Sequence, residues 1–406
     1  MSDYKNKKIC IVGKGISGKG AYYLASELEA KPYFFDGEFN SPDLIVVSPG
    51  VRDQKVFDYA EKNSVPLIGE IEFAYKSDTA DTVVAVTGTN GKTTTTQMIG
   101  CIFAEDGKSV EVCGNIGVAY STRCLLSHEV TVLEVSSFQL DTIQSFAPHI
   151  AIITNLTPDH IDVHGSFEAY VDAKMKICAN QSNSDFLIVD KSVSDRLDSS
   201  IKSHIAVIGE DVCVRGDYIV AFERKILRIS QTPLRGVFLT DALFAVAAAK
   251  LSGIGDKAIK KSLTDFSAQK HRLENVGNFY GKTYYDDSKG TTIGATLAAC
   301  AEMQGDTVLI AGGSYKGYEY DELIAGLPSS IKYVVAMGAV GKKIKEAAAR
   351  NDFKNIILCE HLTQAVSECK KLDVKNVLLS PASASFDDYS GYDKRGDHFK
   401  RLISER

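Results

Sequence analysis

The chain has 406 residues, 44% of them hydrophobic and 24% charged, with a formal net charge of −6 at pH 7. That is the make-up of an ordinary globular protein, and the acidic balance excludes general binding to nucleic-acid backbones. The length asks for two or three domains. No run of about 18 apolar residues is present, so no membrane span is expected. The opening MSDYKNKKIC runs into a strand with no signal-peptide core, which points to the cytoplasm. Nine cysteines lie scattered without a C-x-x-C pair and read as reduced core thiols.

Residues 8–12, KICIV, predict a buried strand that enters Gly13-Lys14-Gly15-Ile16-Ser17-Gly18. A helix to about Ala30 and a second strand over 33–35 follow, closing on Asp36. A G-x-G-x-x-G turn with an acid downstream is the pattern that cradles a pyrophosphate. A third strand, 44–47, ends in Ser48-Pro49-Gly50, another turn at a ligand-binding sheet edge. The stretch 1–78 is one mononucleotide half rather than two, which argues against a nicotinamide site. It leaves a nucleotide-diphosphate site or a structural glycine turn. Residues 76–81 are polar and pattern-free and mark the first domain boundary.

From Thr82 the sequence TVVAVTGTNGKTTTT reads as a buried strand, a glycine-bearing turn and a helix N-terminus. Backbone N–H groups and the helix dipole there make an anion cradle. Gly88, Thr89, Asn90 and Gly91 would wrap the phosphates, Lys92 would reach the outer ones, and the Thr93 hydroxyl would ligate Mg²⁺. Val86 stands where the usual P-loop has its first glycine, so the loop is a shortened relative.

Strands are predicted at 109–113, 130–135, 149–155 and 185–189, with helices at 92–105, 138–146 and 166–180. Alternation of this kind implies a mostly parallel sheet with helices on both faces. Residues 200–235 suggest a small antiparallel addition, followed by an alanine-rich helix over 241–251. Glu134 closes one strand where it would hold Mg²⁺ across from Thr93; a helix cap is the alternative. The next strand ends near Asp159, His160, Asp162 and His164, a set that suits a second cation. Phe167, Tyr170, Val171, Lys174 and Cys178 share one helical stripe, which turns Lys174 inward. Desolvation favours a neutral amine able to form a carbamate with CO₂; snorkelling to solvent is the competing reading.

A boundary near 266–270 opens a third round of β/α alternation. Strands are expected at 282–286, 306–311, 331–336, 355–359 and 376–380, and helices at 291–302, 339–350, 362–371 and 396–404. Hydroxyls and charges gather at the strand ends, in Asp286-Asp287-Ser288-Lys289, Gly312-Gly313-Ser314-Tyr315-Lys316 and Ser383-Ala384-Ser385. An anionic substrate would need such a rim.

The segments GTNGKTT, EVSSFQL, NLTPDHIDVHGSFEAYVDAK, HRLE, DDSKGTT, AGG and LLSPASASFD stand in the order seen in Mur ligases, the ATP-dependent amide-forming family of peptidoglycan synthesis. The chain resembles that family over nearly its whole length, and within it the D-glutamate-adding branch. The resemblance implies three α/β domains: a short Rossmann-like domain (1–78), a central P-loop ATPase (79–269) and a Rossmann-like C-terminal domain (270–406). It implies that ATP activates the terminal carboxylate of UDP-N-acetylmuramoyl-L-alanine and that D-glutamate attacks the acyl phosphate. Thr94, Arg272, Asp287 and Asp241 would join the loop at ATP. Gly15, Ile16, Ser17, Asp36, Ser48, Pro49, Gly50 and Asn115 would hold the UDP substrate. Lys289, Lys316, Ser385 and Tyr392 would bind or orient D-glutamate. Thr93 and Glu134 would hold one Mg²⁺, and His160 with a carbamylated Lys174 a second. A monomer without nucleic-acid or membrane partners is expected. The family's G-x-H-N-x-x-N-A stretch is altered here to Gly236-Val-Phe-Leu-Thr-Asp241-Ala242, which changes the groups available to adenine. A Mur ligase or a folylpolyglutamate synthase-like ligase adding another amino acid is the alternative. An NAD-dependent oxidoreductase or a nucleotide-gated binding protein is the reading from another class.

Overall fold

The computed structural model describes residues 3–266, 270–315, 317 and 319–404. Three sheets carry the fold. The first is formed by β1 (Lys8–Val12), β2 (Lys31–Phe34), β3 (Leu44–Val47) and β4 (Leu67–Gly69), all parallel in the order β2-β1-β3-β4. β1 and β3 are buried almost throughout, as their unbroken β-branched and apolar runs require of strands covered on both faces.

The second sheet holds β5 (Thr82–Thr87), β6 (Val110–Gly114), β7 (Val130–Glu134), β8 (Ile150–Ile153), β9 (Phe186–Asp190), β10 (His204–Ile208), β11 (Val212–Arg215), β12 (Tyr218–Ala221) and β13 (Arg224–Arg228). Their order is β13-β12-β11-β10-β9-β8-β5-β7-β6. β5 lies between β7 and β8, parallel to both, so its C-terminal turn opens where neighbouring connections diverge. β11 to β13 pair antiparallel and extend the sheet, as expected for 200–235. The alanine-rich helix begins earlier than expected and spans Gly236–Leu251.

The third sheet has the order β14-β15-β19-β16-β17-β18, from β14 (Glu274–Phe279), β15 (Lys282–Asp286), β16 (Thr307–Gly312), β17 (Ile331–Met337), β18 (Ile356–Leu358) and β19 (Asn376–Leu379). β14 pairs antiparallel with β15 and the rest are parallel.

By contacts the chain forms two compact units. One contains the first two sheets, over 1–156, 167–234 and 238–266; the other contains the third sheet with 157–166 and 235–237. Eight cysteines are buried, Cys101 is exposed, and all nine are free thiols.

One local expectation is corrected. The helix predicted over 138–146 is one turn, Ser137–Leu140, opened by a capping box between Ser136 and Gln139. It stops because the N–H groups of Gln144, Ser145 and Phe146 donate to the Glu72 carboxylate (3.0, 2.8 and 3.0 Å) instead of continuing a helical ladder. At the expected boundary 76–81, the Asp78 side chain is buried and accepts from Tyr120 Oη at 2.6 Å and Thr131 Oγ1 at 2.7 Å.

Candidate active site

β5 ends in the turn 88–91, and the helix Lys92–Glu105 begins at once. Gly91 supplies the left-handed residue the turn needs, at φ +81°. A Cβ at Gly91 would lie 2.3 Å from Asp241 Oδ1, so a side chain is excluded there for space as well as backbone conformation. The turn is held from two sides. The end of β8 supplies Thr154, whose Oγ1 donates to Asn90 O at 2.5 Å, and Asn155, whose Oδ1 accepts from Asn90 N at 2.9 Å. The helix Phe167–Met175 supplies Tyr170, whose hydroxyl is 3.0 Å from Thr89 Oγ1.

Lys92 Nζ donates to Gly88 O and Thr89 O, both at 2.9 Å, which keeps the ammonium at the turn. Thr93 is buried and its Oγ1 donates to Glu134 Oε2 at 2.6 Å. Asn115 Nδ2 donates to the other carboxylate oxygen at 2.8 Å. A hydroxyl and a carboxylate therefore converge beside the turn, hard oxygen donors of the kind Mg²⁺ takes. Thr94 Oγ1 and Thr95 Oγ1 are buried without a hydrogen-bond partner, so polar capacity remains at the start of this helix.

Lys174 is 2% exposed, which removes the snorkelling reading. Its Nζ donates to Gly88 O at 2.8 Å and lies 3.4 Å from Thr87 Oγ1 and 4.7 Å from the Tyr170 ring centre. The apolar stripe thus delivers an amine to the back of the phosphate turn. A carbamate nitrogen keeps one N–H for Gly88 O, so the donor set is compatible with that modification.

At the first sheet's edge, the turn after β1 packs closely on Ser48. Ser48 N donates to Val12 O at 2.9 Å, while its Oγ is buried and unpartnered. Ile16 is 70% exposed, Gly15 has open space around it, and Asp36 lies just beyond β2 on the same edge. Pro49 and Gly50 continue from Ser48, Gly50 at φ +82°.

The second unit holds the remaining expected residues. His160 adopts φ +53° at the start of the short helix Ile161–His164, with Nε2 3.5 Å from Asp159 Oδ2. The expected second cation set, His160 with Lys174, divides between the two units. Asp287 is buried; its Oδ2 accepts from Ser380 Oγ at 2.6 Å and its Oδ1 from Leu273 N at 3.1 Å. Burial pushes its carboxyl up to about 7, against the lowering effects of Ser380 and Arg272. Arg272 Nε is buried and unpartnered. Lys289 Nζ lies 5.4 Å from the Tyr392 ring centre, so two residues expected at the amino acid are brought together. Ser385 is buried nearby in sequence to exposed Phe386. Lys316 lies outside the described residues.

Arg395 was not singled out by sequence reasoning. It is 1% exposed and donates to the carbonyls of Ser288 (2.9 Å), Ser383 (3.1 Å) and Ala384 (3.1 Å), tying the strand-end segments that carry Lys289 and Ser385. Burial lowers its guanidinium to about 10. The available signal was periodicity: Arg395, Phe399 and Ile403 share one face of the helix Tyr392–Ser404. Thr154, Asn155 and Tyr170 were equally unassigned as supports of the phosphate turn.

Residues 86–213 match the Mur ligase middle domain. A UDP-N-acetylmuramoylalanine--D-glutamate ligase of Thermoanaerobacter sp. (strain X514) is 34% identical, covering 99% of this chain and 99% of its own. One from Koribacter versatilis (strain Ellin345) is 36% identical, covering 99% of this chain and 98% of its own. Among solved structures, MurF ligase from Thermotoga maritima in complex with ADP superposes with a TM-score of 0.64 at 16% identity, over 99% of each chain. That likeness speaks for the fold, and the two full-length relatives speak for more: this chain belongs to the Mur ligase family.

Proposed function

We propose that this protein is an ATP-dependent ligase that joins D-glutamate to UDP-N-acetylmuramoyl-L-alanine in peptidoglycan precursor synthesis. The observation that carries the reading is end-to-end identity of about a third with ligases named for that reaction. The geometry agrees: a shortened phosphate turn, a lysine at its mouth and a threonine–glutamate pair beside it.

ATP binds with its phosphates against the N–H groups of 88–94, and the Lys92 ammonium takes charge from the outer phosphates. Thr93 and Glu134 would hold one Mg²⁺, and Lys174 as a carbamate, with His160, a second; such cations would supply positive charge against the phosphates. The UDP substrate binds along Gly13–Gly18, Asp36 and Ser48–Gly50, with Asn115 at its muramoyl end. Its alanine carboxylate attacks the γ-phosphorus, the bond to the β-phosphate oxygen breaks, and ADP leaves. The D-glutamate amine, oriented by Lys289, Lys316, Ser385 and Tyr392, attacks the acyl carbon. Phosphate departs, the amine proton is released, and an amide remains. Arg272 and Asp287 contact the nucleotide from the third sheet. The domain limits 1–78, 79–269 and 270–406 assign one substrate to each domain, and the protein acts as a monomer.

Release of ADP should require both the UDP substrate and D-glutamate. Equal turnover with L-lysine, meso-diaminopimelate or L-alanine in place of D-glutamate would refute the assignment.

A further inference from the structure

The proposed reaction leaves the buried acid Glu70 without a role. Glu70 opens the helix Glu70–Tyr75 directly after β4, on the sheet edge that also carries Gly13–Gly18 and Ser48–Gly50. It is 2% exposed. Its Oε1 accepts from Ser121 N at 2.7 Å and Ser121 Oγ at 2.6 Å, and its Oε2 is buried with no partner. An unsatisfied buried carboxylate oxygen is costly, and burial pushes this carboxyl up.

Ser121 sits in the segment that leaves β6, and the Glu70 contact is one of three holds on it. From the first sheet's side, Gly20 of the helix Ile16–Glu27 approaches so closely that a Cβ would lie 2.5 Å from Ser121 Oγ and 3.0 Å from Ala119 Cβ. That helix begins at the glycine turn expected to meet the UDP end. From the phosphate side, Asn115 of the same segment donates its backbone N–H to Glu134 O and its Nδ2 to Glu134 Oε1, both at 2.8 Å. Gly114 N closes the segment onto Val118 O at 2.9 Å. The other Glu134 oxygen accepts from Thr93. Residues 114–122 are therefore a short, hydrogen-bonded bridge with the first-domain helices at one end and the cation-side carboxylate at the other.

We propose that Glu70, with Gly20, is a positioning residue: through Ser121 and Asn115 it fixes the Glu134 carboxylate and so couples the first-domain site to the Mg²⁺-nucleotide site. This rests on the function proposed above. Coupling between two sites is reciprocal and commonly amounts to about 5–150-fold in affinity.

The test is calorimetric titration of the intact protein with MgADP, with and without saturating UDP-N-acetylmuramoyl-L-alanine. The wild type should bind MgADP at least about fivefold more tightly when the UDP substrate is present. Glu70→Ala and Gly20→Ala should each bring that ratio below about twofold. Glu70→Gln, which keeps an acceptor for Ser121, should restore most of the ratio. Should Glu70→Ala fail to fold, Gly20→Ala against Glu70→Gln carries the comparison. An undiminished ratio in Gly20→Ala or Glu70→Ala overturns the proposal, as does a wild-type ratio of one. A wild type that does not bind the UDP substrate overturns the function reading as well, so the two failures are distinguishable.

Discussion

Glu134→Gln separates the two jobs proposed for Glu134. The carboxylate is 4% exposed and accepts from Thr93 at 2.6 Å and Asn115 at 2.8 Å. A glutamine has the same shape: its carbonyl takes the Asn115 N–H, and its amide donates to Thr93 Oγ1, which turns from donor to acceptor. Two charge-assisted bonds become two neutral ones, a loss of about 1–2 kcal/mol in total. In a unit of this size that is a melting shift of roughly 2–8 °C. The negative charge is gone, however, and with it the ligand that suits a hard cation. A few kcal/mol of transition-state stabilisation lost there means a fall in kcat of roughly 10²–10³. Glu134→Ala should by contrast be hurt in both respects, since two buried donors lose their acceptor at about 1–3 kcal/mol each. ADP release measured against Mg²⁺ concentration, beside a thermal melt, reads both quantities. A Glu134→Gln protein that keeps more than about a third of wild-type turnover at unchanged Mg²⁺ demand would refute the cation role. Glu134 would then only hold Thr93 and Asn115 in place.

Gly91→Ala should cost about 1–2 kcal/mol for the left-handed backbone and weaken MgATP binding more than tenfold, because the new Cβ meets Asp241; calorimetric affinity within twofold of wild type would contradict this. Lys174→Met should fold yet lose at least about 10³ in turnover, and ¹³C spectra in labelled bicarbonate should show a carbamate carbon only in the wild type. Asp287 has a folded-state pKa of about 7, above its ordinary 3.8, so the folded protein keeps a proton that the unfolded chain releases. Its effect on stability is therefore absent at low pH and becomes a growing penalty as pH rises from about 4 to 7. Between pH 5 and 8, Asp287→Asn should gain about 2–3 kcal/mol over wild type in unfolding free energy; an equal difference at both pH values would refute the assignment.

The α/β plan was legible because buried parallel strands such as Val83–Val86, Val130–Leu133 and Ile150–Ile153 are continuous apolar runs bounded by turn residues. The phosphate turn and the inward lysine were legible for the same reason, since each follows from local pattern. What local pattern does not carry is tertiary hydrogen bonding. The helix over 138–146 was overestimated because the Glu72 carboxylate, far away in sequence, captures three of its N–H groups. Asp78 was not singled out because its partners Tyr120 and Thr131 come from other elements. Arg395 was hidden by its charge: an arginine on an apolar helix face reads as an exception until the carbonyls it serves are seen. In the altered segment 236–242, the structure sets Asp241 against Gly91 of the phosphate turn.

The central claim is that the phosphate turn activates the alanine carboxylate for amide formation with D-glutamate. Incubating the protein with ATP, Mg²⁺, D-glutamate and UDP substrate labelled with ¹⁸O in that carboxylate tests it in one mass-spectrometric measurement. The account predicts one ¹⁸O in the released phosphate and a product that has gained one glutamyl group and carries one ¹⁸O fewer than the substrate. Unlabelled phosphate, or a phosphate label with no such product, would contradict it.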